Sequence, residues 1–288
     1  ANSHTNANAI VAKGNRTDGR NLIKEWHSLY PSGVYIDSQR GFDAVDSAAT
    51  NQLLGLFNQS HMRYEADRKN SVKGEPSLSE MTAKAIEILD NNAKGFLLVV
   101  ESGRIDHGHH AGSAFSALND TIELSRAVQI AVDRTDPKDS LIIVTADHSH
   151  VFTMAGYPKR GNPILGKVVN VGADKPALAA DGLPYTTLGY ANGLGYRELA
   201  DETDADHAYH SAPLAGRQDL TKINTQAQGF HQEVLIPTRS ETHGGEDVAI
   251  YATGPGAHLV TGSNEQSIIF HVMNHAGNLY GRASATLK

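Results

Sequence analysis

The stretch Phe96-Leu97-Leu98-Val99-Val100-Glu101-Ser102-Gly103-Arg104-Ile105-Asp106-His107-Gly108-His109-His110 passes from five unbroken apolar residues into a cluster of carboxylate, guanidinium and imidazole groups. A continuous apolar run of that length reads as a strand buried on both faces, the habit of a parallel sheet. Downstream, an amphipathic segment from about Ser113 to Val132 leads to a second such run, Leu141-Ile142-Ile143-Val144. Strand, helix and strand at this spacing make a βαβ unit. The prediction is an α/β fold with a partly parallel central sheet flanked by helices.

The same reading extends in both directions. Leu22, Ile23, Trp26 and Leu29 fall at helical spacing, and Pro31-Ser32-Gly33 ends that run. Val34-Tyr35-Ile36 and Leu53-Leu54-Gly55-Leu56-Phe57 are strand candidates. Ser77-Leu78-Ser79-Glu80 has the spacing of a capping box, and the helix it opens carries Met81, Ala85, Ile88 and Leu89 on one face. From 153 to 240 the apolar runs break and Gly, Pro, Asn and Asp multiply, which predicts a loop-rich insertion elaborating the sheet's edge. A strand over Asp247–Tyr251 and a helix over Glu265–Ala276 follow.

Composition narrows the chemistry. The 288 residues are 40% hydrophobic and 20% charged, enough to bury a sizeable core in one elaborated domain. No apolar stretch is long enough to span a bilayer. A net charge of −7 with no basic run argues against a nucleic-acid partner. The opening Ala1-Asn2-Ser3-His4 lacks the charged and apolar regions of a signal peptide. With no cysteine, disulfides, thiolate metal sites and Cys nucleophiles are all excluded. Fifteen histidines remain, so any metal site is built from imidazole and carboxylate, a donor set that suits zinc or a harder divalent ion.

Ligands of parallel sheets bind beyond the carboxyl ends of the strands. Glu101 to His110 follow the first run, Thr145-Ala146-Asp147-His148-Ser149-His150 the second, and Ser240-Glu241-Thr242-His243-Gly244-Gly245-Glu246-Asp247 precede the third. Three segments thus bring carboxylates and imidazoles to one rim. Crowded like charges are costly without a counter-ion, which points to a cation. Asp106 and His110 are four apart and share a side if that stretch is helical. Asp147 and His148 sit together at a strand end. These pairs, with a distant His, describe two neighbouring zinc sites, and Glu101 is a hard oxygen ligand suited to magnesium. His4, His27, His61, His258, His271 and His275 read as surface or packing residues. Asp204-Ala205-Asp206-His207 with His210 reads as an acidic solvated loop, while Arg104 and Arg160 could hold a phosphate and ordinary ion pairs explain either equally well.

On these motifs the chain resembles alkaline phosphatase. The three stretches around Asp106, Asp147 and His243 look like that family's C-terminal metal motifs, in its order. Weaker echoes run through Leu54-Gly55-Leu56-Phe57, Met62-Arg63-Tyr64-Glu65, Gly156-Tyr157-Pro158, Tyr185-Thr186-Thr187-Leu188, Gly193-Leu194-Gly195-Tyr196 and Gly256-Ala257-His258-Leu259. The resemblance implies that Asp106, His110 and His243 bind a first zinc, Asp147 and His148 a second, and Glu101 a magnesium, with His107 beside them without ligating. It implies hydrolysis of phosphate monoesters through a phosphoserine, a homodimer, and a periplasmic or extracellular site. It also implies that this chain is the C-terminal portion of one domain. The nucleophilic serine, the bridging aspartate and the phosphate-clamping arginine would lie in the N-terminal part, so the chain alone would be inactive.

Val45-Asp46-Ser47-Ala48-Ala49-Thr50 imitates the nucleophile motif. It lies too close upstream of Glu101, and Asn51-Gln52-Leu53 follow where small residues are needed, so it reads as a capped helix start. Two rivals stay open on sequence alone: a related metal-dependent phosphodiesterase or phosphomutase, and a non-catalytic module whose zinc holds loops together.

Overall fold

The computed structural model describes residues 16–197, 202–209, 212–214 and 216–286; His4 and His210 lie outside them. Two compact units divide at Val99 and Val100.

In the first unit, α1 (Leu22–Leu29) is capped by the Asn21 side chain and stacks Trp26 against His27 and Tyr30. Strands β1 (Val34–Ile36) and β2 (Leu53–Gly55) pair in parallel, with Val34 opposite Leu53. Between them runs α2 (Gln39–Asp43). A core of Ile36, Phe42 and Val45 gathers Val34, Leu53, Phe57, Met81 and Ile88 around it. The last two come from α3 (Leu78–Leu89), whose capping box is complete: the Ser77 hydroxyl accepts from the Glu80 amide at 3.1 Å, and the Glu80 carboxylate accepts from the Ser77 amide at 2.7 Å. Around Asp46 the chain makes a single capped turn that does not continue as a helix. The Asp46 carboxylate accepts from the Ala48 amide at 3.0 Å, and the Ser47 hydroxyl donates to Glu87 at 2.9 Å.

In the second unit, α4 (Arg104–His110) turns into α5 (Ala114–Arg134) at Gly112, whose φ of +73° is the left-handed conformation glycine takes without strain. Ser113 caps α5 by accepting from the Ser116 amide at 3.2 Å. Gly108 lets the two helices close on each other: a Cβ there would sit 2.8 Å from the backbone nitrogen of Ala117. Strand β3 (Ile142–Val144) pairs antiparallel with β9 (Tyr251–Thr253), and β4 (Ser149–His150) antiparallel with β8 (His243–Gly244). Across 152–237 lies a sheet ordered β5 (Phe152–Met154), β6 (Leu188–Gly193), β7 (Val234–Pro237), antiparallel then parallel. The C-terminal helices are α7 (Ile268–Gly277) and α8 (Leu279–Thr286), after the short α6 (Asp206–Tyr209).

The chain is therefore α/β with small, partly parallel sheets, but the strand expected over 247–251 forms instead at Tyr251–Thr253, and two larger details depart from expectation. Residues Phe96 to Val100 join no ladder with a described strand, and Val99 is 82% exposed. An apolar run says that a segment wants cover, yet a sheet needs a partner, and β3 takes β9 instead. The parallel pairs fall elsewhere, at β1–β2 and β6–β7. Second, the segment 153–240 carries its own core: Val168, Leu188, Tyr190, Leu194, Leu220 and Phe230 are all buried. Its apolar residues lie far apart in sequence, so no local periodicity announced them. No helix among the described residues is long and apolar enough to cross a membrane.

That core includes His231, fully buried with Nδ1 2.6 Å from the Ala111 carbonyl. Burial holds its pKa down to about 4, against the pull of the Ala111 carbonyl and with the charge of Arg197 adding to the depression. A histidine that stays neutral when folded but protonates when unfolded loses stability as pH falls through its unfolded pKa, and the loss levels off below the folded one. We expect about 2 kcal/mol less stability at pH 5 than at pH 7.5 from this group alone. Urea unfolding at both pH values, with His231→Gln as the comparison, measures it. An equal pH dependence in the variant contradicts the assignment.

Candidate metal centre

Helix α4 presents Asp106 and His110 one turn apart, as the spacing predicts. The β4–β8 ladder sets His150 opposite His243, and His148, just before β4, stacks on His243. All four imidazoles converge on one atom, Asp106 Oδ1. From it the Nε2 atoms of His150, His110, His243 and His148 stand at 3.0, 3.4, 3.7 and 3.9 Å. His243 Nε2 is 3.2 Å from His110 Nε2. Asp106 Oδ1 is itself buried and accepts no hydrogen bond from the described residues.

This geometry fits a cation. Four ligands at about 2.0 Å around tetrahedral zinc lie about 3.3 Å from one another. The separations within Asp106, His110 and His243 are 3.4, 3.7 and 3.2 Å. A second group, Asp106 with His148 and His150, and a third, His110 with His150 and Glu241, also keep their ligand atoms within 4.8 Å of one another. The tautomer of His110 also suits a metal. Its Nδ1 faces the Glu241 carbonyl at 2.8 Å, which can only accept, so Nδ1 bears the hydrogen and Nε2 keeps its lone pair.

His148 stacks on His243 with ring centroids 3.6 Å apart, so the two expected zinc positions adjoin. Asp147 lies beside His148, Oδ2 to Nε2 3.5 Å, but its carboxylate is 81% exposed and joins none of the three groups. Glu101 is exposed and also stands outside them. His107 turns to Arg104, Nδ1 to Nη1 2.8 Å, and Arg104 reaches Asp206 at 3.0 Å, an ordinary ion pair on the acidic loop.

Sequence reasoning passed over His150 and Glu241. The period-two spacing of His148 with His150 and of Glu241 with His243 hints at both, but β4 begins only at Ser149 and β8 only at His243, so the β4–β8 register and not strand alternation places them. His150 is nearly buried between Asp106 and Glu241. Burial disfavours its charged form, but the hydrogen bond and charge of Glu241 and the charge of Asp106 outweigh it and raise its pKa. Beneath it, His109 stacks on the ring at 4.6 Å with Nδ1 2.9 Å from the Tyr190 hydroxyl. Burial, and then the neighbouring His150 charge, hold His109 down to about 3. The 153–240 segment thus buttresses the centre. Gln232 also accepts from the Ala114 amide at 2.7 Å, and Asn192 both donates to and accepts from Thr242.

The family model described as alkaline phosphatase matches residues 2–279. The chain is 43% identical over 267 residues to the tissue-nonspecific alkaline phosphatase isozyme of Gallus gallus, covering 92% of this chain and 47% of that one. It is 38% identical over 265 residues to alkaline phosphatase of Gadus morhua, covering 91% and 51%. It therefore spans about half the length of these relatives. Among solved structures, Thermus thermophilus alkaline phosphatase superposes with a TM-score of 0.57 at 21% identity, over 91% of this chain and 59% of that one. The enzyme of the Antarctic bacterium TAB5 superposes at 0.54 with 17% identity, over 91% and 56%. The fold is shared with those structures, and a rim of histidines closing on one helical aspartate sits where the sequence motifs put it. The chain belongs to the alkaline phosphatase family.

Proposed function

We propose that the protein hydrolyses phosphate monoesters through a phosphoserine intermediate, using two zinc ions and one magnesium. Asp106, His110 and His243 would hold the first zinc, Asp147 and His148 the second, and Glu101 the magnesium. When bound, these cations supply Lewis-acid stabilisation of charge on the phosphoryl and entering and leaving oxygens. The chain's own residues fix the donors: α4 holds Asp106 and His110 one turn apart, and the β4–β8 ladder brings His243 to them. His107, paired with Arg104, would lie beside phosphate without ligating. The single observation that carries this reading is the convergence on Asp106 Oδ1.

In this reading the 288 residues form the C-terminal portion of one domain, with 153–240 inserted in it. The nucleophilic serine lies in the remainder of the protein, without which the chain is inactive. Ser47 is not that serine: its hydroxyl is engaged by Glu87 and its neighbour Asp46 caps a turn. Ser47→Ala in the intact protein should leave phosphatase turnover unchanged, and a dead enzyme contradicts the assignment. The same reading carries a homodimer and a periplasmic or extracellular location.

Steady-state rates on p-nitrophenyl phosphate and its bis-ester, measured on the intact protein, test the reaction class. A strong preference for the monoester is expected. Preference for the diester would favour a phosphodiesterase, and turnover of neither would favour a structural metal module.

A further inference from the structure

We infer that Glu241 is a positioning residue of the metal centre, aiming the imidazoles of His110 and His150 at Asp106. The inference rests on the reading that a cation binds there, and names a residue outside the proposed ligand set that the site depends on.

The Glu241 carboxylate is completely buried. Its Oε1 accepts from the Val151 amide at 2.9 Å, and its Oε2 accepts from His150 Nδ1 at 2.7 Å. Its main chain grips His110 on both sides: the Glu241 amide donates to the His110 carbonyl at 3.3 Å, and the Glu241 carbonyl accepts from His110 Nδ1 at 2.8 Å. One residue therefore occupies the Nδ1 of both rings and turns both Nε2 atoms toward the same aspartate oxygen. Gly193 packs beside Glu241 at van der Waals distance, in a backbone conformation (φ +142°) that favours glycine.

A carboxylate without solvent is costly to bury, and a merely structural partner for the Val151 amide needs no charge. The His150 N–H that donates to Oε2, the His110 ring whose Nδ1 lies 3.3 Å from the same oxygen, and a ligand cluster beyond them account for the charge: a ligating histidine binds better when its other nitrogen donates to a carboxylate or carbonyl. Glu241→Gln keeps size and one acceptor oxygen but loses the charge, and its amide cannot accept from both Val151 and His150.

Zinc affinity of the intact protein, by competition with a chromophoric chelator, tests this. Glu241→Gln should keep the circular-dichroism spectrum of the wild type and bind zinc about 10- to 100-fold more weakly. A lower melting temperature with unchanged zinc affinity means a structural role only and overturns the inference while leaving the proposed function standing. No zinc on the wild type overturns both. Should the variant not fold, the wild type answers: after selective ¹⁵N-histidine labelling of the zinc-loaded protein, His110 and His150 should both carry a proton on Nδ1. An unprotonated Nδ1 on either ring overturns the inference.

Discussion

Replacing Asp106 with Asn should lower kcat/KM of the intact protein by about a thousandfold or more, the several kcal/mol expected when a phosphoryl-transfer centre loses its Lewis acid. No other single change at this rim should cost as much, because Asp106 Oδ1 is the atom that four histidines share. Its nearest imidazole nitrogen lies at 3.0 Å and its farthest at 3.9 Å. The amide of Asn removes the negative charge and sets two N–H groups against ring nitrogens. Zinc content measured on the same sample should fall with activity. If the variant turns over at the wild-type rate with full zinc, the convergence has no catalytic meaning.

The second large effect is mechanical. Gly108 lies between Asp106 and His110 on α4 and faces the start of α5, where a Cβ would meet the Ala117 backbone nitrogen at 2.8 Å and its Cα at 3.1 Å. Backbone cannot step aside as a flexible side chain can, so Gly108→Val must push the helices apart. Overpacking of this kind costs about 1–3 kcal/mol. Displacing α4 also carries Asp106 and His110 away from His243, which is fixed separately by β8. We therefore expect loss of zinc affinity out of proportion to the lost stability, seen as reduced zinc occupancy in protein that is still folded at 25 °C. A variant that is destabilised yet binds zinc normally would mean that the centre tolerates movement of its helix.

Local signals were read most reliably from the chain. The i, i+4 pair on α4 and the Ser77–Glu80 box are encoded within a few residues, and the structure contains both; of the face predicted for α3, Met81 and Ile88 pack on the core, while the buried residues are Thr82 and Ile86. The gathering of the three distant motifs was legible from their shared ligand chemistry, though not at the ends of one parallel sheet: Asp106 and His110 stand on α4, after a run that joins no described strand, and His243 stands in β8. What escaped depends on pairing. The run Phe96 to Val100 displays its apolarity but not its neighbours, and β3 could not announce that β9, far along the chain, would be its partner. Nothing local sets His150 apart from the other histidines of its motif; only the register with β8 shows that it stands between Asp106 and Glu241. The core of the 153–240 segment is assembled from single residues such as Leu194 and Leu220, which no window of sequence links.

Anomalous diffraction at the zinc edge, from crystals of the intact protein, addresses the convergence itself. The expected peak lies about 2.0–2.2 Å from Asp106 Oδ1, His110 Nε2 and His243 Nε2 together. No peak at this rim, or a peak whose ligand sphere leaves out Asp106 or His243, contradicts it.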